Sequence, residues 1–288
     1  MNFNIEDWRW KVAVIVALLG MREFVRLLSP KEVKSGDNGE TSKWLVETID
    51  SAAIAIGLVL FIIQPFILQA FFIPSGSMED TLRIGDRLLV SKLVYRVKEP
   101  QFQDVIVFKA PKAALLNQNV TENVDFIKRC MGTPGDTIEV KERQLYRNGK
   151  PVPEVYVKWS ETTTTTAFTG APDELSSSGA APRYSYDMKI VGEAVYSREK
   201  VGNNPKSQWT QNGVPVAQAD QQSITDAPPG KVPAGHYLFL GDHRNNSNDG
   251  HVWGFAPRNS VVGKAICVFW PPTRLGLVDR MSLYPRKP

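Results

Sequence analysis

Residues 126–136 read Phe-Ile-Lys-Arg-Cys-Met-Gly-Thr-Pro-Gly-Asp, a short run that ends in the turn signal Pro134-Gly135. Short β-type runs bounded by Gly and Pro are typical of strands. Further runs of this kind cover residues 87–92, 104–108, 137–140, 144–146, 236–240 and 261–269. The chain has no fixed repeat and no Rossmann-type glycine pattern, so a parallel α/β sheet is disfavoured. We therefore expect a mainly β chain with a compact antiparallel β domain.

The segment 154–231 differs from these runs in composition. It is rich in Thr, Ser, Gln, Asn, Ala and Pro, and it includes a run of threonines at 162–166. Its tyrosines and tryptophans offer apolar surface that a disordered tract would lack. We therefore expect 154–231 to form an inserted, smaller and variable β-rich domain between the two parts of the main β domain, 74–153 and 232–288.

An uncharged stretch precedes the β domain. Residues 52–73 contain no charged side chain, and a helix of this length could cross roughly 30 Å of hydrocarbon. We expect an N-terminal transmembrane helix, an anchor over 44–73. Lysines and arginines occur on both sides of this stretch, so their distribution does not settle its orientation.

Residues 1–43 contain a second apolar run, at 12–21, which is too short to span a bilayer. Basic residues flank it, and no small-residue cleavage site follows it. An interfacial helix with Trp8 and Trp10 at the headgroup level fits this pattern. The segment is predicted to be cytoplasmic or interfacial, and a short first membrane helix over 10–28 stays open.

Composition excludes several classes of function. The chain carries 34 Lys and Arg against 30 Asp and Glu, a formal net charge of +4, and no basic block interleaved with aromatic residues indicates nucleic-acid binding. Cys130 and Cys267 are too few for a disulfide framework and lie in no metal-binding pattern, and whether they pair stays open. The sequence predicts no metal, nucleotide or other cofactor.

Ser77 and Lys128 are the candidate nucleophile and base. Ser77 follows the uncharged stretch directly. A lysine can take a proton from a serine only when its amine is neutral, and an ordinary lysine is neutral in only about 0.04 % of molecules at pH 7. Full burial can lower the pKa of a lysine by about 3 to 5 units. The apolar neighbours of Lys128, with Phe126 and Cys130 on its own strand face, make such burial plausible.

Four motifs occur in a characteristic order and spacing. They are Pro74-Ser-Gly-Ser-Met78; Gly85-Asp-Arg87; Lys128-Arg129 with Gly132 and Pro134-Gly-Asp136; and Gly241-Asp242 with Arg244, Asn246-Ser247 and Asp249. In these motifs the chain closely resembles the bacterial type I signal peptidases (leader peptidases), which are Ser-Lys dyad serine proteases. The resemblance extends from about residue 44 to about residue 270.

The resemblance implies a membrane-bound serine endopeptidase that removes N-terminal signal peptides from exported preproteins after small residues of the Ala-X-Ala type. It implies that Ser77 is the nucleophile and Lys128 the base, that the Ser75 hydroxyl helps bind the oxyanion, and that Ser247 orients the lysine amine. It also implies two further sets of residues. The substrate pocket would be formed by Ile73, Met78, Leu82, Phe126 and Ile127, and the surrounding loop would be supported by Asp242, Arg244 and Asp249.

The same resemblance places the protein in the cytoplasmic (inner) membrane, with the catalytic domain on the extracytoplasmic (periplasmic) face. Its partners would be the preproteins and the lipid bilayer, without nucleic acid, and it would act as a monomer. Asp80, His243, Gly250 and His251 differ from the residues usual in the family.

Two alternatives remain open from the sequence. One is a membrane-anchored Ser-Lys regulatory protease, and the other is a catalytically inactive β domain that serves as a subunit or binding module of an export complex. Chain order does not exclude a histidine base either, because Ser-His-Asp triads occur in several orders. However, the family uses other residue types at the positions of His243 and His251.

Overall fold

A computed structural model of the chain describes residues 5–28, 38–115, 124–160, 184–201 and 208–279. The chain divides into two units, Met1–Gln69 and Ala70–Pro288. The threonine run at 162–166, which belongs to the predicted insertion, lies outside the described residues.

The first unit is helical. Helix α1 covers Ile5–Leu28, helix α2 covers Asn38–Leu58, and a π-helix covers Val59–Ile67. Within the described ranges, no helix combines the length and the apolar character needed to cross a membrane. The single continuous helix expected over 44–73 is not observed, and the membrane anchor stays a prediction. The uncharged residues are divided among the end of α2, the π-helix and a strand, while α2 before residue 52 carries Lys43, Glu47 and Asp50.

From residue 68 onward the chain consists mostly of strands. In chain order they are β1 Leu68–Phe72, β2 Arg87–Ser91, β3 Val105–Lys109, β4 Asp125–Gly132, β5 Ile138–Lys141, β6 Gln144–Arg147, β7 Lys150–Pro151, β8 Tyr184–Val191, β9 Ala194–Val201, β10 Thr210–Gln211, β11 Val214–Pro215, β12 His236–Leu240, β13 Ala256–Pro257, β14 Val261–Trp270 and β15 Gly276–Leu277. The short helices of this unit are α3 Val94–Val97, α4 Lys112–Leu115, α5 Gln218–Asp226 and α6 Gly250–Trp253.

These strands form two sheets. The first has the order β1-β2-β14-β3-β4-β12-β13, with β15 paired to β14, and the second has the order β11-β10-β9-β8-β5-β6-β7. The pairs whose register is described are antiparallel. The predicted mainly β, antiparallel fold is confirmed, and each of the predicted runs forms a strand with ends close to those expected.

The second sheet contains strands from both sides of the domain boundary predicted at residue 154. Strands β5, β6 and β7 precede this residue, and β8 to β11 follow it. Strands β8 and β9 pair along their whole length around a short turn at Gly192 and Glu193. The predicted insertion thus extends a sheet that begins in the preceding segment.

One apolar cluster joins the two sheets. Met131 on β4 and Leu238 on β12 are buried together with Val140 on β5 and Met188 on β8. On the other face of the first sheet, the rings of Phe108 and Phe239 stack at 4.3 Å. Burial of apolar surface is the dominant stabilising term in folding. Strands β4 and β12 are therefore held firmly from both faces.

Candidate active site

Strand β4 positions Lys128. Lys128 lies opposite Ile106 of β3, while its neighbour Arg129 pairs with Leu240 of β12. Successive side chains of a strand point to opposite faces, so Lys128 and Arg129 face in opposite directions. The Lys128 side chain passes Phe126, with Nζ 5.7 Å from the ring centroid, and the residue is only 5 % exposed.

Ser77 lies in the turns between β1 and β2. Backbone hydrogen bonds close this segment: Gly85 N–H donates to Ile73 O and Glu79 N–H donates to Gly76 O. Ser77 is 8 % exposed. Lys128 Nζ donates a hydrogen bond to Ser77 Oγ over 2.5 Å. The structure thus brings the two predicted residues into direct contact inside the protein.

Burial sets the charge state of this amine. It lowers the pKa of Lys128 to about 8, against the opposing influence of the Asp249 and Asp242 carboxylates. With such a pKa, about a tenth of the amines are neutral at pH 7. Removal of the ammonium group from water is the main cause of the shift, as expected for a buried lysine.

The two predicted helper serines occupy different positions. Ser75 Oγ lies 3.5 Å from Ser77 Oγ, beside the reactive hydroxyl. Ser247 lies in the loop after β12, which approaches so closely at Gly241 that a Cβ there would lie 2.2 Å from Ser247 Oγ and 2.6 Å from Ser77 O. In the described part of the chain, no hydrogen bond joins Ser247 Oγ to the Lys128 amine, whose bond goes to Ser77. The orienting role of Ser247 stays a prediction.

Asp242 binds the opposite face of β4. It accepts hydrogen bonds from Arg129 Nε at 2.8 Å, from Arg129 Nη2 at 2.5 Å and from Thr81 Oγ1 at 2.6 Å. All three side chains are buried. Since Thr81 follows the Ser77 turn and Asp242 follows β12, this network connects the two loops that border the site.

Arg244 and Asp249 complete the support of the loop. Arg244 pairs with Glu154 and donates from Nε to Gly241 O at 3.1 Å. Asp249 accepts from Gly241 N–H at 2.7 Å and contacts His251 Nδ1 at 2.7 Å. Burial alone would raise the pKa of Asp249, but its electrostatic interaction and hydrogen bond with His251 keep that pKa below its ordinary value. Asp242, Arg244 and Asp249 are thus all hydrogen-bonded in or beside the loop after β12, and their role as structural support stays a prediction.

The predicted pocket residues divide into two groups. Ile73, Met78 and Leu82 are buried in one apolar cluster, and Ile127 packs against it. Phe126 belongs to a different cluster, where its ring contacts Phe108 edge to face at 6.2 Å. Ile73, Met78 and Leu82 lie near Ser77 in the chain, whereas Ile127 and Phe126 belong to the strand of Lys128.

Sequence reasoning missed the segment 158–160 as part of the site. Lys158 forms a parallel bridge with His243, and Lys158 N–H donates to Asp242 O at 2.8 Å. No local motif indicates a contact between residues so far apart in sequence. The only local signal is the pair of aromatic residues Tyr156 and Trp159, which indicates that this part of the segment packs against the domain.

Other potential reactive groups are separate from Ser77 and Lys128. Cys130 and Cys267 are both free thiols, and burial raises the pKa of Cys130 far above its ordinary value. In the ranges that the structure describes, no group of His, Cys, Asp and Glu side chains is arranged to hold a metal ion.

Comparison with known proteins gives a consistent result. A family profile described as "Signal peptidase, peptidase S26" matches residues 45–270. Signal peptidase I of Leptolyngbya laminosa is 33 % identical, with 81 % of this chain and 83 % of the relative covered. The probable signal peptidase I-2 of Synechocystis sp. is 32 % identical over 88 % and 84 % of the two chains. Signal peptidase I of Aquifex aeolicus is 35 % identical over 74 % and 80 %.

Proposed function

The chain belongs to the signal peptidase family, peptidase S26, and from this premise we propose that Ser77 and Lys128 are its catalytic dyad. Membership makes it a serine peptidase, a hydrolase that removes signal peptides. The observation that carries the assignment of the dyad is the 2.5 Å contact between Lys128 Nζ and Ser77 Oγ in a buried setting.

In the proposed mechanism, the neutral Lys128 amine accepts the Ser77 proton as Ser77 Oγ attacks the scissile carbonyl. The protonated amine then gives a proton to the leaving amine, and an acyl-enzyme remains on Ser77. Water attacks this ester in turn, again with Lys128 as the base. Proton transfer by a positioned side chain contributes about 10² to 10⁴ in rate. The lowered pKa of Lys128 supports this role because it makes the base available near neutral pH.

The tetrahedral intermediate needs hydrogen-bond donors for its oxyanion. We assign this role to the Ser77 backbone N–H and the Ser75 hydroxyl, and the position of Ser75 Oγ 3.5 Å from Ser77 Oγ supports the assignment. Loss of one such donor typically costs about 10² to 10³ in kcat. Ser75→Ala should therefore lower kcat much more than it raises KM, since the donor acts on the transition state.

We propose that the enzyme cleaves after small residues of the Ala-X-Ala type. Ile73, Met78 and Leu82 pack tightly beside the nucleophile, and a close-packed apolar wall excludes bulky side chains. Ile127 would line the same subsite, and Phe126 would border it from the Lys128 side. Leu82→Ala should widen the accepted side chains without removing activity toward Ala-X-Ala sites.

We propose that the substrates are exported preproteins and that cleavage takes place at the extracytoplasmic face of the cytoplasmic membrane, where signal peptides arrive. The protein would act there as a monomer on the bilayer surface. Fractionation of cells followed by protease protection of the tagged protein would test this location.

The decisive experiment is cleavage of a preprotein by the wild-type protein, Ser77→Ala and Lys128→Ala in detergent micelles. Both variants should lose at least about a thousandfold in kcat, because nucleophile and base act as a unit. Lys109→Ala is the matched control, since Lys109 is a half-exposed lysine on the neighbouring strand β3. Retention of near-wild-type turnover by Ser77→Ala or Lys128→Ala would overturn the dyad.

A further inference from the structure

A second hydroxyl contacts a basic side chain close to the active site. We propose that Ser160, His243 and Glu79 form a second nucleophilic site, in which the histidine activates the Ser160 hydroxyl toward small activated esters of carboxylic or phosphonic acids. This site borders the Ser77 turn, since His243 N–H donates to Ser77 O at 3.1 Å, but its chemistry uses neither the Ser77 hydroxyl nor the Lys128 amine.

The geometry is that of a serine, a histidine and an acid in series. Ser160 Oγ is hydrogen-bonded to His243 Nε2, and His243 Nδ1 lies 3.5 Å from Glu79 Oε2. A nucleophile bonded to a base that is itself oriented by a third group is the general signature of an activated hydroxyl. Such sites are recognised by geometry and not by position in the sequence.

Backbone contacts fix Ser160 in this position. Ser160 N–H donates to Asn245 Oδ1 at 2.8 Å, and Asn245 Nδ2 donates to Ser160 O at 2.8 Å. Two residues earlier, Lys158 N–H donates to Asp242 O, and Arg244 N–H donates to Lys158 O at 2.9 Å. The serine and the histidine are therefore held by two paired segments, which gives the pair the rigidity that a reactive site needs.

The environment favours a neutral imidazole. Burial and the positive charge of Lys158 lower the pKa of His243, although Glu79 and Asp80 oppose the shift. Neutral His243 can accept the Ser160 proton on Nε2 when Nδ1–H points toward Glu79. The Gly76 carbonyl oxygen also accepts a hydrogen bond from the imidazole, and Asn246 Nδ2 lies 3.5 Å from Nδ1. A Glu79→Gln variant therefore tests whether the negative charge of the carboxylate contributes to orienting the ring.

The position of the site limits what it can do. Ser160 is half-buried and Glu79 is 38 % exposed, so a small reagent can reach the hydroxyl. The Ser160 N–H is engaged by Asn245 and cannot serve as an oxyanion donor. Since such donors supply much of the rate in acyl transfer, we expect stoichiometric modification of Ser160 without rapid turnover.

The test is the labelling of the full-length Ser77→Ala variant with a small fluorophosphonate at pH 8, followed by peptide mass spectrometry. Ser160 Oγ forms a bond to phosphorus, the P–F bond breaks, fluoride leaves and His243 takes the serine proton. The internal control is Ser223, an exposed serine whose hydroxyl donates to Asp220 O. Ser160 should react about a hundredfold faster than Ser223, the lower range for general-base assistance.

Two variants in the same background test the assigned roles. His243→Asn should reduce labelling of Ser160 to the level of Ser223, and Glu79→Gln should reduce it severalfold. The labelling rate should also fall when the pH is lowered far enough to protonate His243, whose pKa lies below its ordinary value. This measurement does not depend on the folding of a second variant. Equal rates at Ser160 and Ser223, labelling that is insensitive to His243→Asn, or a flat pH profile would each overturn the proposal.

Discussion

Strand β4 carries two cationic residues at neighbouring positions, one on each face, and their surroundings differ sharply. Lys128 and Arg129 are both almost fully buried, at 5 % and 2 % exposure. Lys128 meets a neutral hydroxyl, whereas Arg129 is bound by both oxygens of Asp242. A comparison of the two residues therefore shows what a contacting carboxylate does to a buried cation.

The charge states follow from this difference. Burial lowers the pKa of Lys128 to about 8. Burial also acts to lower the pKa of Arg129, but the charge and hydrogen bonds of Asp242 outweigh it and raise that pKa above its ordinary value. At similar depth, direct contact with a carboxylate reverses the direction of the pKa shift, although the Arg129 guanidinium would stay protonated in either setting. Strand alternation thus allows one strand to carry a base on one face and a structural ion pair on the other.

The largest effect should come from breaking the ion pair. Asp242→Asn leaves the Arg129 charge buried without its counter-ion, and the removal of one partner of a buried pair typically costs about 3 to 5 kcal/mol. Urea unfolding at pH 7 measures this loss. Glu99→Gln is the control, because Glu99 pairs with Arg258 at an exposed position and should cost less than about 1 kcal/mol. Equal losses in both variants would show that Asp242 does not compensate Arg129.

On the Lys128 face of β4, removal of the charged group should stabilise the protein. Lys128→Met removes an amine whose pKa is depressed from 10.5 to about 8, a penalty of about 3 kcal/mol at pH 7. The variant should therefore be inactive but more stable than wild type. The unfolded chain binds the proton more tightly than the folded one, so wild-type stability should rise between about pH 8 and 10.5, and this rise should be absent in Lys128→Met.

Unfolding of both proteins at pH 7 and pH 10 measures the difference. Lys109→Met is the matched control, because Lys109 is half-exposed on β3 and its loss should leave the pH dependence unchanged. If Lys128→Met were less stable than wild type and kept the wild-type pH dependence, burial of the Lys128 amine would not reduce the stability of the folded protein.

The sequence predicted the environment of Lys128 better than that of Arg129. Apolar neighbours and strand alternation were sufficient to expect a buried Lys128 with Phe126 and Cys130 on its face. The partners of Arg129 could not be predicted, because Thr81 and Asp242 are separated by 161 residues and no local pattern pairs them. Periodicity and turn residues report local structure, whereas ion pairs of this kind depend on the completed fold.

The second sheet shows the same limit. The strands before residue 154 were predicted individually, but their continuation into β8 was not, since pairing between distant strands leaves no local mark. A hairpin between β8 and β9 could have been found from Gly192-Glu193, because a two-residue turn with Gly first is a hairpin signal. The helix expected over 44–73 ends earlier than predicted for a related reason: an uncharged stretch does not by itself choose between helix and strand.

A third prediction concerns activity and sharpens the comparison on the Lys128 face. If the neutral amine is the base, kcat/KM for a signal-peptide substrate should rise about tenfold per pH unit below pH 8 and level off above it, since kcat/KM reports the ionisation of the free enzyme and the pKa of Lys128 is about 8. Rates measured between pH 6 and pH 10 test this. A midpoint near 10.5, or a flat profile below pH 8, would contradict the assigned base.

The smallest effect concerns the ring that covers the Arg129 guanidinium. Arg129 Cζ lies 3.8 Å from the centroid of the Tyr156 ring, and a desolvated contact of a cation with an aromatic face is worth up to about 2 kcal/mol. Tyr156→Phe keeps the ring, whereas Tyr156→Leu removes it, so the second variant should be less stable than the first by about 1 kcal/mol. Urea unfolding of the two variants isolates the aromatic face from the hydroxyl. If they unfold at the same urea concentration, Asp242 alone compensates the buried charge, and the contrast between the two faces of β4 reduces to the presence or absence of that carboxylate.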